Sequence, residues 1–189
     1  MLRTTWVWAE PSLAYTEFAF RYETKAQAMS TVDAKLPTAP KLEGRPPRML
    51  VVRAPYYTAI VDGLRDGAVR IITEAGGTCD VLDVAGALEL ASAIQFAVKG
   101  DRAYDGFVAL GCVVKGETDH YEHVCREAMQ ALTRVALDHT LALGNGLLTV
   151  ATEAQAIERS GADGHNKGAE AAAAALIQIR AARYLGAAS

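Results

Sequence analysis

From Met49 onward the chain alternates between two hydrophobic periods, and that alternation leaves few architectures open to it. Met49-Leu50-Val51-Val52 is an unbroken apolar run, suited to a strand covered on both faces. Ile60, Leu64, Ala68, Ile71, Ile72 and Ala75 then recur at helical spacing within residues 58–75, and Gly76-Gly77 supplies a stop. The exchange repeats with strands at 79–84, 106–114 and 146–150 and helices at 89–99 and 121–140. A short helix at 153–160 and an Ala-rich one at 167–184 follow. This order predicts a three-layer α/β/α domain built on a four-stranded parallel sheet. Gly63 and Gly67, four apart on the first helix, predict close approach of another backbone.

Residues 1–47 have a different texture. They hold five of the six prolines (Pro11, Pro37, Pro40, Pro46 and Pro47) and show no sustained period. Proline removes donors and biases its predecessor away from helix, so 1–47 is expected to be a mobile extension and 48–189 the folded domain. Trp6, Trp8, Phe18 and Phe20 suit packing on a neighbouring subunit. An arm without function, or a true start at Met29, is the bland and favoured reading of the segment.

Several function classes are disfavoured. Net charge is -3, and Lys and Arg are scattered rather than clustered with aromatics, so nucleic acid is not an expected partner. No apolar run approaches the roughly 20 residues that span a bilayer, and the N-terminus lacks a compact apolar signal segment. Cys79, Cys112 and Cys125 form an odd set without paired spacing, which predicts free thiols and a cytoplasmic location. The glycine signatures of nucleotide hydrolases and dinucleotide oxidoreductases, and the Gly-x-Ser-x-Gly elbow, are absent from the sequence.

In parallel α/β sheets ligands bind beyond the carboxyl ends of the strands. The first strand ends at Arg53-Ala54-Pro55-Tyr56-Tyr57, whose aromatics suit either a planar ligand or packing over the sheet. The second ends at Ala85-Gly86-Ala87-Leu88-Glu89, where Gly86 and its small neighbours let backbone amides approach a ligand, and where Glu89 in a first helical turn also simply favours the helix dipole. The third is the most informative. Lys115-Gly116-Glu117-Thr118-Asp119-His120 is a glycine turn feeding a helix, with free amides, a dipole and the Thr118 hydroxyl suited to phosphate. His120 stands two residues on, able to exchange protons near neutrality. A metal at His120 and His123 lacks further ligands, whereas a solvent-facing His120 is the bland reading. After the fourth strand, Arg159 and Lys167 are cations that either complement helix ends or clamp a phosphate, and Asn166 is a candidate N-cap.

Six segments together resemble the 6,7-dimethyl-8-ribityllumazine synthase family over residues 49–185. They are Gly86-Ala87-Leu88-Glu89-Leu90, the run 104–111, Lys115-Gly116-Glu117-Thr118-Asp119-His120-Tyr121-Glu122, the run 144–150, Glu153-Ala154-Gln155-Ala156, and the run 166–172. The resemblance implies a flavodoxin-like domain in homopentamers or multiples of them, with sites between subunits. It implies condensation of 5-amino-6-(D-ribitylamino)uracil with 3,4-dihydroxy-2-butanone 4-phosphate, without metal or cofactor, and riboflavin synthase as pathway partner. By position, Tyr56, Ala87, Leu88, Glu89, Cys112, Val113, Val114 and Asn145 would bind the pyrimidine substrate. Glu117, Thr118, Arg159 and Lys167 would bind phosphate, and His120 would move protons. Pro55, Ala85, Ala91 and Lys115 depart from the family's usual residues. A lumazine- or flavin-binding paralogue with slowed chemistry is the alternative; a flavodoxin-like electron carrier fits less well, because the first strand is not followed by a Ser/Thr-rich loop.

Overall fold

Alternate residues of the strand Arg48–Ala54 (β1) face opposite layers, and each layer is apolar: Met49 and Val51 on one side, Leu50, Val52 and Ala54 on the other. That two-sided burial is what an unbroken apolar run requires. The computed structural model describes residues 38–100, 103–162 and 165–187. After β1 come a 3-10 turn (Pro55–Tyr57), α1 (Thr58–Glu74), β2 (Thr78–Asp83) and α2 (Glu89–Lys99). The chain continues through β3 (Gly106–Val114), α3 (His120–Asp138), β4 (Leu143–Val150), α4 (Glu153–Ser160) and α5 (Lys167–Tyr184). The sheet runs β2-β1-β3-β4 with every neighbouring pair parallel.

One layer packs α1 and α5, with Ala156 of α4, against Val51, Val108, Leu110, Leu148 and Val150. The other packs α2 and α3 against Val52, Phe107, Ala109 and Leu147. This is the expected three-layer α/β/α domain of flavodoxin-like type. Edge and centre differ: the outer strand β2 leaves Val81 and Leu82 more than two-fifths exposed, whereas the central strand β3 is buried over its first seven residues.

The fourth strand departs from expectation. It begins at Leu143, three residues before the expected start, so Gly144-Asn145-Gly146 lies inside β4 rather than in a turn. The glycines serve packing there. A Cβ on Gly144 would run into the carbonyl of Ala171, and one on Gly146 would meet Leu110 Cδ2 at 2.7 Å. Helix α5 therefore lies against β4 more closely than side chains would permit.

The expected backbone approach at Gly63 and Gly67 is present, and its centre is Asn166. This side chain is 3% exposed and fully used. Its Nδ2 donates to the carbonyls of Gly63 (2.8 Å), Ser160 (2.9 Å) and Gly161 (3.2 Å), and its Oδ1 accepts from the Ala169 amide at 2.9 Å as the N-cap of α5. Added Cβ atoms on Gly67 and Gly168 would collide with the Asn166 amide and the Leu64 carbonyl respectively.

Of the expected extension, residues 1–37, with Trp6, Trp8, Phe18 and Phe20, lie outside the described residues. Residues 38–47 are held to the domain at several points. Arg45 makes a two-pronged pair with Asp105 (2.5 and 2.8 Å), and Arg183 donates to the carbonyls of Glu43 and Arg45. Leu42 and Ala39 pack against the α1–α5 layer.

Because the α1–α5 contact has no room for a methyl group, Gly168→Ala should destabilise the domain by about 2 kcal/mol, the usual scale of overpacking. Urea unfolding followed by circular dichroism measures this. Ala173→Gly, also in α5, should cost only about 1 kcal/mol through helix propensity.

Candidate active site

Strand order 2-1-3-4 reverses direction between β1 and β3, and in sheets of this kind the crevice at the reversal binds ligands. A cavity of about 340 Å³ opens there. The turn after β1 gives it Tyr56 and Tyr57; the turn after β2 gives Gly86, Ala87, Leu88 and Glu89; the end of β3 gives Cys112, Val113 and Val114; and α3 gives His120 and Val124. Tyr56 is 79% exposed at the mouth, its ring edge-on to Tyr57 with centroids 5.2 Å apart and planes at 66°. An exposed, edge-supported ring presents a free face to a planar ligand. Glu89 sits in the first turn of α2, and a Cβ on Gly86 would lie 3.1 Å from its carboxylate, so the acid folds back over the turn. A larger groove of about 740 Å³ runs along β2 and α2, but its walls are mainly apolar, among them Val81, Leu82, Phe96 and Ala97. Volume alone does not locate the chemistry.

The groups buried in and beside the cavity are held neutral. Burial, and secondarily Glu153, pushes the Cys112 thiol up to about 11. Burial likewise raises Tyr57, Tyr121 and Cys125. A reactive cysteine needs a lowered pKa, so thiolate attack is not what this wall is built for. The imidazole of His120, exposed at the start of α3, and the carboxylate of Glu89 are the cavity side chains that can serve as general acid or base. His123 faces away from a metal role: its Nδ1 meets Arg126 Nη2 at 2.8 Å.

The expected phosphate cations lie elsewhere. Arg159 and Lys167 share a second hollow, about 250 Å³, with Asn145 and Thr149 along β4. Arg159 donates to the Gln155 carbonyl (2.9 Å) and pairs with Glu158 (3.2 Å); Lys167 pairs with both oxygens of Glu170 (2.7 and 2.8 Å). The Asn145 amide donates to Met129 Sδ and its oxygen accepts from the Leu147 amide.

The expected residues thus divide. Tyr56, Ala87, Leu88, Glu89, Cys112, Val113, Val114 and His120 meet in the first cavity, and Asn145, Arg159 and Lys167 meet at the second. Glu117 and Thr118 occupy the exposed turn between β3 and α3 and line neither hollow. Tyr57 and Val124 are cavity residues that sequence reasoning did not single out as binders. Tyr57 was legible as half of an aromatic pair, and Val124 as the residue one helical turn beyond His120.

The sequence profile of the 6,7-dimethyl-8-ribityllumazine synthase family matches residues 46–183. A 6,7-dimethyl-8-ribityllumazine synthase of Bartonella tribocorum is 45% identical over 140 residues, covering 74% of this chain and 93% of that one. One from Azorhizobium caulinodans is 47% identical over 140 residues, covering 72% and 86%. The 6,7-dimethyl-8-ribityllumazine synthase 1 of Rhizobium meliloti is 43% identical over 147 residues, covering 76% and 96%.

The raised Cys112 thiol makes a pH prediction whose sign follows from linkage. A folded pKa above the unfolded value contributes stability that is complete below the unfolded pKa, near 9, and is lost as pH rises towards about 11. Urea midpoints measured from pH 8 to 11 should fall more steeply for the natural protein than for Cys112→Ala. Parallel curves would remove the buried thiol from this account.

Proposed function

This chain belongs to the 6,7-dimethyl-8-ribityllumazine synthase family, and from that premise we propose that it joins 5-amino-6-(D-ribitylamino)uracil to 3,4-dihydroxy-2-butanone 4-phosphate at a site shared by two copies of the chain. The observation that carries this is the division of the site residues between two hollows, one holding the proton carrier and a stacking ring, the other the cations.

The pyrimidine stacks on Tyr56. Its edge and the ribityl chain meet the turn Ala87-Leu88-Glu89 and the backbone of Cys112, Val113 and Val114. The 5-amino nitrogen attacks the ketone carbon, and the carbonyl oxygen leaves as water to give an imine. Phosphate is then eliminated, and the ribitylamino nitrogen closes the second ring with loss of another water. Each step is an addition, an elimination or a dehydration, so the sequence needs proton transfers and no electron carrier. His120 takes the proton from the attacking amine and returns protons to the departing oxygens. Glu117 and Thr118 hold the phosphate through amides and a hydroxyl at the start of α3. A neighbouring copy brings Arg159 and Lys167 to that phosphate and Asn145 over the ring.

Closure of such head-to-tail contacts gives a ring, and we read the assembly as a homopentamer or a multiple of one. The free thiols fit a cytoplasmic location, and a riboflavin synthase is the enzyme expected to use the product. Among the described residues no helix is long and apolar enough to cross a membrane.

Mixing the purified protein with both substrates should yield the fluorescent lumazine and inorganic phosphate in equal amounts. Tight pyrimidine binding without turnover would instead identify a binding protein. His120→Ala should lower kcat about a hundredfold or more, the scale of general acid–base catalysis. Arg159→Ala should raise the KM of the phosphate substrate roughly tenfold to a hundredfold, the worth of charged hydrogen bonds. The shared site has its own test. Co-assembling the two variants should restore unimpaired activity at roughly a quarter of the sites, because random pairing gives that fraction both intact halves. No recovery would place the whole site in one chain.

A further inference from the structure

The two turns that wall the pyrimidine side of the cavity have little holding them from above. Tyr56 is 79% exposed with Tyr57 as its ring partner, and the 3-10 turn has one side-chain bond of its own, from Thr58 Oγ1 to the Pro55 carbonyl at 3.0 Å. Below them the case is different. Arg53, the next-to-last residue of β1, stands directly opposite Asp83, the last residue of β2. Its Nε and Nη2 grip both oxygens of Asp83, at 2.5 and 3.0 Å, and its Nη1 donates to Asp62 in α1. The Arg53 carbonyl also accepts the Val84 amide at 2.8 Å, the last rung before the turns diverge.

From this we propose that Arg53 is a positioning residue for the pyrimidine half of the site, clasping the ends of β1 and β2 and the first turns of α1 so that Tyr56 and the Gly86–Glu89 turn keep a fixed separation. The proposal rests on the reading of the cavity given above. A surface ion pair contributes little, but this side chain is only 15% exposed and its fork is two-pronged, the geometry in which Arg gains most over Lys. Asp62 has a second partner in Arg65 at 2.9 Å, so it remains neutralised if Arg53 is lost. Asp83 is gripped by Arg53 alone among the described residues. Loss of Arg53 therefore unties the β2 side, the side that carries Ala87, Leu88 and Glu89.

Arg53→Gln and Arg53→Lys separate positioning from stability. In Arg53→Gln the KM of the ribitylaminouracil should rise about tenfold, the scale of a small misplacement of a binding wall. The KM of the phosphate substrate should stay within about twofold, and kcat at saturation should be kept. Arg53→Lys, which retains the charge without the fork, should fall between. A rise of both KM values together, or a lowered Tm with neither KM changed, overturns the clasp. Amide exchange provides a readout independent of turnover: residues 56–58 and 84–89 should exchange faster in both variants while the strands 49–52 and 107–112 do not. Unchanged exchange in those turns overturns the proposal even if the enzyme works, whereas loosened turns in a protein without turnover would count against the assigned reaction and leave the clasp standing.

Discussion

One buried amide, that of Asn166, organises the side of the sheet on which α1, α4 and α5 pack. Burying an amide is costly unless its hydrogen bonds are made, and here three carbonyls and one backbone amide make them. The partners belong to α1, to the end of α4 and to the start of α5, so a single side chain joins three helices. Small residues make it possible. Gly63, Gly67 and Gly168 let the backbones approach until the amide can reach all of its acceptors. The same bonds decide where Arg159 and Lys167 stand, since one lies just before the tied carbonyls and the other just after Asn166 itself.

The candidate residues follow the sheet's carboxyl end and its outer margin. Central strands β1 and β3 lead to Tyr56, the strand-end backbone and His120, while the outer strand β4 carries Asn145 and borders the two cations. In the proposed arrangement the margin of one sheet completes the crevice of another, and Gly144 and Gly146 let α5 lie close behind that margin.

The sequence carried most of this. Every strand and helix is present where the hydrophobic period changes, and the boundaries agree to within a few residues because glycines and helix-opening turns punctuate the chain. The one misplaced boundary, at β4, has a physical cause: Gly144 and Gly146 read locally as turn formers, and only the proximity of Ala171 shows why a strand needs them. The site was legible as residue types at strand ends. What could not be read was their partition into two hollows, because spacing along a chain does not say on which margin of a sheet a side chain emerges. Nor does any local pattern mark Arg53. Its partners Asp62 and Asp83 are 9 and 30 residues away and are joined to it only by the β1–β2 register and the return of α1.

The ion pairs already formed by Lys167 with Glu170 and by Arg159 with Glu158 give the cation hollow a further character. Under the proposed function it would work as an ion exchanger. An arriving phosphate would trade places with a tethered carboxylate, which would swing back when the phosphate departs. Such a hollow would discriminate against weak anions, which cannot outbid a resident carboxylate, and would return inorganic phosphate to solution instead of retaining it.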